Sequence, residues 1–122
     1  MGRKLLPQAL KSYPSQEATF DSSVWFEFLD ANGRGVCEVD HLILLPDSVV
    51  VVECKLTQTP RGISQLGSLY LPVVRNIFKQ VPVRGVMICK KLYEEPSVLV
   101  TNLSQVLEQD LNTIPTWHWI GN

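Results

Sequence analysis

The sequence predicts a mixed α/β fold, a central β-sheet flanked by helices. Three observations predict it. Between residues 24 and 56, three runs rich in aromatic and β-branched residues are separated by compact turn signals. An apolar stripe with helical spacing follows from Ile63 to Phe78. Directly after it comes another β-rich run, Val81–Cys89. A chain of 122 residues has room for one hydrophobic core and not two. The expected organisation is a single domain over residues 1–122, with a short N-terminal segment (1–20), a core (24–90), and a C-terminal helix and tail (104–122).

Residues 1–20 are weakly patterned and broken by Pro7 and Pro14, with a short helix expected over Leu5–Lys11. Val24–Leu29 reads as a strand. Ala31-Asn32-Gly33-Arg34-Gly35 follows, and Asn-Gly is a strong hairpin signal because both central residues of such a turn take positive φ. Val36–Leu45 is the second strand. Strict alternation along it puts Glu38, Asp40 and Leu42 on one face and Cys37, Val39, His41 and Ile43 on the other. After the turn Pro46-Asp47-Ser48, Val49–Leu56 is nearly all β-branched at first, the mark of a central strand buried on both faces. These three strands form a meander. The helix then runs from Ile63 to about Lys79, with Pro72 inside it predicting a kink or a late start. Because a helix separates the third strand from Val81–Cys89, those two strands are expected to lie parallel. Val98–Thr101 makes a fifth strand and Ser104–Leu111 a short helix capped by Ser104. Trp117, His118 and Trp119 close the chain as a strand or a cap on the core.

Composition excludes several classes. No apolar run approaches the roughly 20 residues of a membrane span. The start of the chain, Met1-Gly2-Arg3-Lys4-Leu5-Leu6-Pro7, lacks the apolar core of a secretory signal, so a cytoplasmic location is expected. Cys37, Cys54 and Cys89 are widely spaced and form no CxxC pair, so they read as small core residues and not as a zinc or disulfide framework. The net charge is −1, but it is unevenly distributed. From Glu17 to Glu53 there are eight acids and one base (Arg34); from Cys54 to Lys91 there are seven bases and no acid. Such a chain can present an acidic pocket for a cation beside a basic surface for a phosphate backbone.

Asp40 and Glu53 stand where acids are costly. Asp40 lies mid-strand, and Glu53 ends a run of four valines. Counting outward from the turn places them as cross-strand or diagonal neighbours, about 5–8 Å apart at their β-carbons. Lys55, two residues after Glu53, points to the same face. Two adjacent carboxylates repel unless a cation or a lysine separates them. A salt-bridged trio with Lys55 would satisfy them, and so would a hard cation such as Mg²⁺ or Mn²⁺. A bound cation of this kind can polarise a phosphate and acidify a water, while Lys55 orients that water or stabilises charge in the transition state.

Asp40, twelve residues, then Glu53-Cys54-Lys55 resembles the D…(D/E)xK core of the PD-(D/E)XK nuclease superfamily. The carrying segments are Cys37–Leu44 and Val49–Lys55, followed by a helix with Gln65 and Tyr70. The resemblance spans about residues 24–90 and implies a restriction-endonuclease-like mixed sheet. It implies a Mg²⁺-dependent deoxyribonuclease, with Mn²⁺ able to substitute, cutting DNA as an endonuclease or an exonuclease and possessing resolvase-like structure selectivity. Asp40 and Glu53 would hold the metal, with the backbone carbonyl of Cys54 completing its shell. Lys55 would serve the water, and Gln65 would lie near the site. Glu17 stands in for the acid that many members carry on a first helix, Glu38 is an outer carboxylate, and Tyr70 matches a helix tyrosine, although five residues separate it from Gln65 where the recombination-exonuclease pattern has four. Arg61, Arg75, Lys79 and Arg84 would contact phosphates. So small a domain is expected to act as a homodimer or in a larger complex, with Val74, Ile77 and Phe78 or the Trp25–Phe28 strand as contacts. The alternative is a nucleic-acid-binding or assembly module that keeps the fold without turnover.

Overall fold

A computed structural model describes residues 18–120. Six strands form one mixed sheet in the order β1-β2-β3-β4-β6-β5. The strands β1 (Thr19–Asp30), β2 (Gly33–Leu44) and β3 (Val49–Thr57) are an antiparallel meander. β4 (Val83–Lys91) lies parallel to β3, and β6 (Thr116–His118) is parallel to both β4 and β5 (Leu99–Val100). The expected short helix over Leu5–Lys11 lies outside the described residues. No helix among the described residues is long and apolar enough to cross a membrane.

Turn chemistry sets the meander. Asp30 pairs with Gly33, so Ala31 and Asn32 form the hairpin tip and Gly33 alone takes a positive φ, +109°. The expectation of positive φ at both Asn32 and Gly33 is therefore corrected: the turn sits one residue earlier, and glycine absorbs the left-handed step that Asn32 was expected to share. The next turn closes through the Leu45 N–H donating to the Ser48 carbonyl at 2.9 Å. Val49–Val52 are all buried, as a strand flanked by β2 and β4 requires.

The crossover helix is one rod with a wide turn in its middle. Thr59 caps α1 (Pro60–Gln65), its Oγ1 accepting from the Gly62 N–H at 3.1 Å, with Pro60 in the first turn where a missing N–H does no harm. Leu66–Tyr70 is a π turn, after which α2 runs Leu71–Ile77. Pro72 explains the widening. It cannot donate to the residue four back, and its ring would press on that carbonyl; upstream the Leu71 N–H instead reaches back five residues to Leu66. The extra residue rotates the apolar stripe, so that Leu66, Leu71 and Val74 are buried while Ile77 is 55% exposed. Val74, offered as a dimer contact by the sequence, is core. Gly85 admits this helix to the sheet, because a β-carbon there would meet Leu71 and Leu66 at 3.1–3.3 Å. The last helix, α3, spans Leu103–Leu107 and is capped by Asn102, which accepts from the Gln105 N–H; Ser104 lies inside it.

Cores form on both faces of the sheet. On the side of α1 and α2, Phe26, Cys37, Val39, Leu42, Val49 and Val51 pack with Leu66, Leu71 and Val74. On the other, Ile43, Val50, Val52, Val86 and Ile88 pack under α3. Val39 and Leu42 thus share a face although three residues apart, which strict alternation forbids. The pairing of β1 with β2 skips Ser23 and Asp40, and Ser23 has φ +54°. A matched kink in the two strands flips their faces there, which corrects the expected separation of Leu42 from Val39 and the expected grouping of Ile43 with Val39. Beyond the kink β2 pairs only with β1, because β3 reaches only His41–Leu44. The hairpin therefore projects as a two-stranded ribbon whose outer face leaves Trp25, Val36 and Leu29 more than half exposed.

Candidate active site

The kink builds the site. The β2–β3 ladder ends at His41 opposite Val52, and the next opposing pair is Asp40 and Glu53. Here side chains replace the ladder. The Asp40 N–H donates to Glu53 Oε1 at 3.2 Å, and the Cys54 N–H donates to Asp40 Oδ2 at 2.9 Å. Each carboxylate satisfies a backbone donor on the other strand, which lets the strands part without leaving buried N–H groups unmet. Lys55 Nζ lies 4.0 Å from Glu53 Oε2, with its side chain 40% exposed and the carboxylate almost wholly buried. The lysine stem runs past α1 at Gly62, where a β-carbon would stand 3.7 Å from its Cε.

Burial pushes the Glu53 carboxyl up to about 7, and the neighbouring Asp40 charge adds to it; the Asp40 N–H and then Lys55 pull it back only in part, and Glu38 raises it further. A carboxyl so held takes either a proton or a cation near neutral pH. The Tyr70 phenol, on the π turn, is raised by burial and then by Glu53, Cys37, Asp40 and Glu38, which sets it in the field of the acids. The Cys54 thiol is pushed up to about 12 by burial and then by Asp40 and Glu53, so it stays protonated at neutral pH. Cys37 and Cys89 are buried, and burial raises both thiols.

No group of three or more His, Cys, Asp and Glu side chains among the described residues is arranged to hold a metal. The chemistry that fits is narrower: two carboxylates that each accept one backbone hydrogen bond, and a carboxyl whose charged form burial and Asp40 disfavour more than Lys55 favours it. Mg²⁺ is commonly held by one or two carboxylates while keeping several waters, and Asp40 and Glu53 are two carboxylates facing each other across neighbouring strands.

The remaining expected residues scatter. Gln65 ends α1, exposed, with no hydrogen bond to the acids. Glu38 is partly buried on β2, and Glu17 lies outside the described residues. Arg61 on α1 and Lys79 beyond α2 are exposed. Arg75 and Arg84 are engaged with the chain itself: Arg75 donates through Nε and Nη2 to the Val83 carbonyl and also to the Leu111 carbonyl, and Arg84 Nε donates to the Gln109 carbonyl. His41 is buried, its Nδ1 3.0 Å from Ser22 Oγ. His118 Nε2 lies 3.2 Å from the Lys90 carbonyl, in β6. Sequence reasoning passed over Gln58, which is 6% exposed with an Oε1 that accepts no hydrogen bond. In Thr57-Gln58-Thr59-Pro60 it reads as a polar linker residue, and no local signal marks it as buried. Comparison with protein families, with curated proteins and with solved structures returns no significant match.

Proposed function

We propose that this chain is a metal-dependent deoxyribonuclease with a restriction-endonuclease-like core. One observation carries the reading: Asp40 and Glu53 meet where two strands part, each satisfying the other strand's backbone, with Lys55 paired to the second Glu53 oxygen. Burial and the neighbouring Asp40 charge raise the Glu53 carboxyl to about 7, a perturbation of the kind that clusters at functional sites. The meander followed by a helix and a parallel strand supports the same assignment.

In this reading Asp40 and Glu53, with the Cys54 carbonyl, would hold Mg²⁺ or Mn²⁺. The ion would supply Lewis acidity to the phosphoryl oxygens and acidify a water. Lys55 orients the attacking water and places a positive charge beside the charge that develops on the phosphate. Tyr70, whose phenol feels the Glu53 and Asp40 charges, would stand near the acids on the helix side. Arg61 and Lys79 position the DNA backbone without reading its sequence. The exposed ribbon face at Trp25, Leu29 and Val36 gives the proposed homodimer its contact.

The test is cleavage of plasmid, flap and four-way-junction DNA with Mg²⁺ or Mn²⁺. Asp40→Ala, Glu53→Ala and Lys55→Ala should each abolish measurable cleavage while leaving DNA binding in place. Full cleavage by Glu53→Ala and Lys55→Ala would overturn the site. DNA binding without cleavage by the unaltered chain would favour the non-catalytic binding module.

A further inference from the structure

The two faces of the β1–β2 ribbon meet unlike fates. On the helix side Val24, Phe26, Phe28, Cys37 and Val39 pack into the core under α1 and α2, and Phe28 lies across Gly35, where a β-carbon would strike its ring. The other face is bare. Among the described residues, none from Val24 to Val39 joins the core under α3. The register gives the members of this face: Trp25 stands opposite Glu38, Glu27 opposite Val36, and Leu29 opposite Arg34. Directly opposed residues of an antiparallel pair share a face. Trp25 is 65% exposed and Leu29 81%, on a face that alternation ordinarily leaves polar.

The pattern on this face is its own complement. A two-fold axis crossing the strands at the Glu27–Val36 pair lays β1 over β1 and β2 over β2 of a second copy, with the direction reversed. Trp25 then meets Leu29 of the second copy, and Val36 meets Val36. Glu38 meets Arg34 of the second copy, and the symmetry makes each of these unlike pairs twice. Glu27 meets Glu27, but on the edge strand, where both carboxylates are exposed to water. A two-fold axis along the strands would instead set Trp25 over Glu38 and Val36 over Glu27, apolar groups on charges. Pairing of two β1 edges is opposed by the kink, since Ser23 at φ +54° bends the strand out of line for a neighbour.

We propose that two copies of this chain stack antiparallel by these ribbon faces, with Glu38 and Arg34 paired across the two-fold axis. Six side chains covered on each copy bury on the order of 1,000 Å² in total, the size at which specific contacts begin. This gives the homodimer of the nuclease reading its geometry and rests on that reading for its consequence. Val49 and Val51 face α1 and α2, Glu53 follows them by alternation, and Lys55 passes α1 at Gly62. The acids therefore look away from the outer face of the ribbon. The dimer holds its two sites on opposite sides, and each cuts one strand alone, giving nicks and not paired breaks.

The test is sedimentation equilibrium of the metal-free full chain across the micromolar range, with circular dichroism as the check of folding. The parent should dimerise. Arg34→Glu and Glu38→Arg should each weaken the dimer at least about tenfold, because each sets like charges together twice. The double variant with both changes should return to within about twofold of the parent. Positions 34 and 38 stand too far apart along β2 to touch within one copy, so only a contact between copies restores the dimer. Trp25→Ser should weaken it about tenfold. Because Trp25 and Arg34 are exposed, their variants report even where Glu38→Arg perturbs the fold. A parent that stays monomeric, a dimer indifferent to these variants, or a folded double variant as weak as the single ones overturns the proposal. On supercoiled plasmid with Mg²⁺, the parent should nick before it linearises, and Arg34→Glu should nick at the parent's rate. The expected dimer pattern without any cleavage keeps the ribbon contact and removes the nuclease. Cleavage by a monomeric parent removes the ribbon contact and leaves the nuclease.

Discussion

The two ends of the β3–β4 pair handle polar groups in opposite ways. At the amino end every prominent group has a mate: Arg75 closes on the Val83 and Leu111 carbonyls, Arg84 on Gln109, and the Val49 N–H on the Pro82 carbonyl. At the carboxyl end Glu53 is buried against Asp40, Lys55 comes no nearer than 4.0 Å, and Gln58 Oε1 has no donor. The same sheet thus carries fasteners at one end and unmet chemistry at the other. Under-satisfied groups are uncommon in folded chains, so this contrast, and not charge alone, is the ground for proposing the site at the carboxyl end. It also separates the bases: Arg75 and Arg84 bond carbonyls of the chain itself, while Arg61, Lys79, Lys90 and Lys91 are exposed.

The sharpest break of this contrast is a substitution that helps the fold and removes the activity. Glu53→Gln keeps the shape and hydrogen-bonding oxygen but deletes the charge. Cleavage should fall at least about a thousandfold, roughly 4 kcal/mol of transition-state stabilisation. Metal-free stability in urea should rise at neutral pH, because the repulsion with Asp40 is gone. A variant with near-normal cleavage would place the chemistry elsewhere.

Next in size is the pH dependence of the metal-free chain. Glu53 is held up to about 7 when folded and near 4.5 when unfolded. Between those values the folded state binds more protons than the unfolded one, so stability falls as pH rises from about 4.5 to about 7, by at most about 1.4 kcal/mol per unit from this group. Above the folded value the loss is complete and the curve levels. Mg²⁺ should recover stability at pH 7.5 and have little effect at pH 5, where Glu53 carries a proton. Urea titrations across pH check this, and Glu53→Gln should flatten the slope.

Much of this was legible in the sequence and some was not. Asp40 and Glu53 could be brought opposite each other by counting from Pro46–Ser48, since a short turn fixes the register of the strands it joins. The valines of β3 announced a central strand. Pro72 announced a disturbance, but whether a kink or a π turn follows depends on how Leu66 and Leu71 seat on Gly85. The kink at Ser23 has no signal, because nothing about a serine between Ser22 and Val24 demands a positive φ. Hence Leu42 was placed on the wrong face. The Leu111 and Gln109 carbonyls that Arg75 and Arg84 engage lie 36 and 25 residues away in the chain, visible only after folding. Ser104 was taken for a cap because it precedes an apolar run, whereas Asn102 two residues earlier makes the bond.

Breaking the amino end should give the reverse pattern. Arg75→Ala removes a charged donor from two carbonyls, so stability should drop by about 2 kcal/mol in urea, while cleavage per folded molecule and the salt dependence of DNA binding stay as in the parent. Arg61→Ala should leave stability within about 0.5 kcal/mol and lower the slope of log affinity against log salt by about one. If Arg75→Ala instead lowered that slope, its guanidinium would be reaching DNA and not Val83 and Leu111, and the separation of fastening bases from contacting bases would be lost.

The smallest expected effect concerns Gln65. It is exposed at the end of α1, and its side chain makes no hydrogen bond to Asp40 or Glu53. Gln65→Ala should therefore leave the urea midpoint unchanged, since an exposed side chain with no partner contributes within about 0.5 kcal/mol. Any role must come from a contact made once DNA is bound, so the variant should raise the DNA concentration needed for half-maximal cleavage a few-fold and leave the saturated rate alone. Such a pattern makes Gln65 a positioning residue at the border of the site. A fall in the saturated rate as large as that of Lys55→Ala would instead show the end of α1 swinging in on the acids during turnover, and the carboxyl end of the sheet would then be a site completed by movement of the helix.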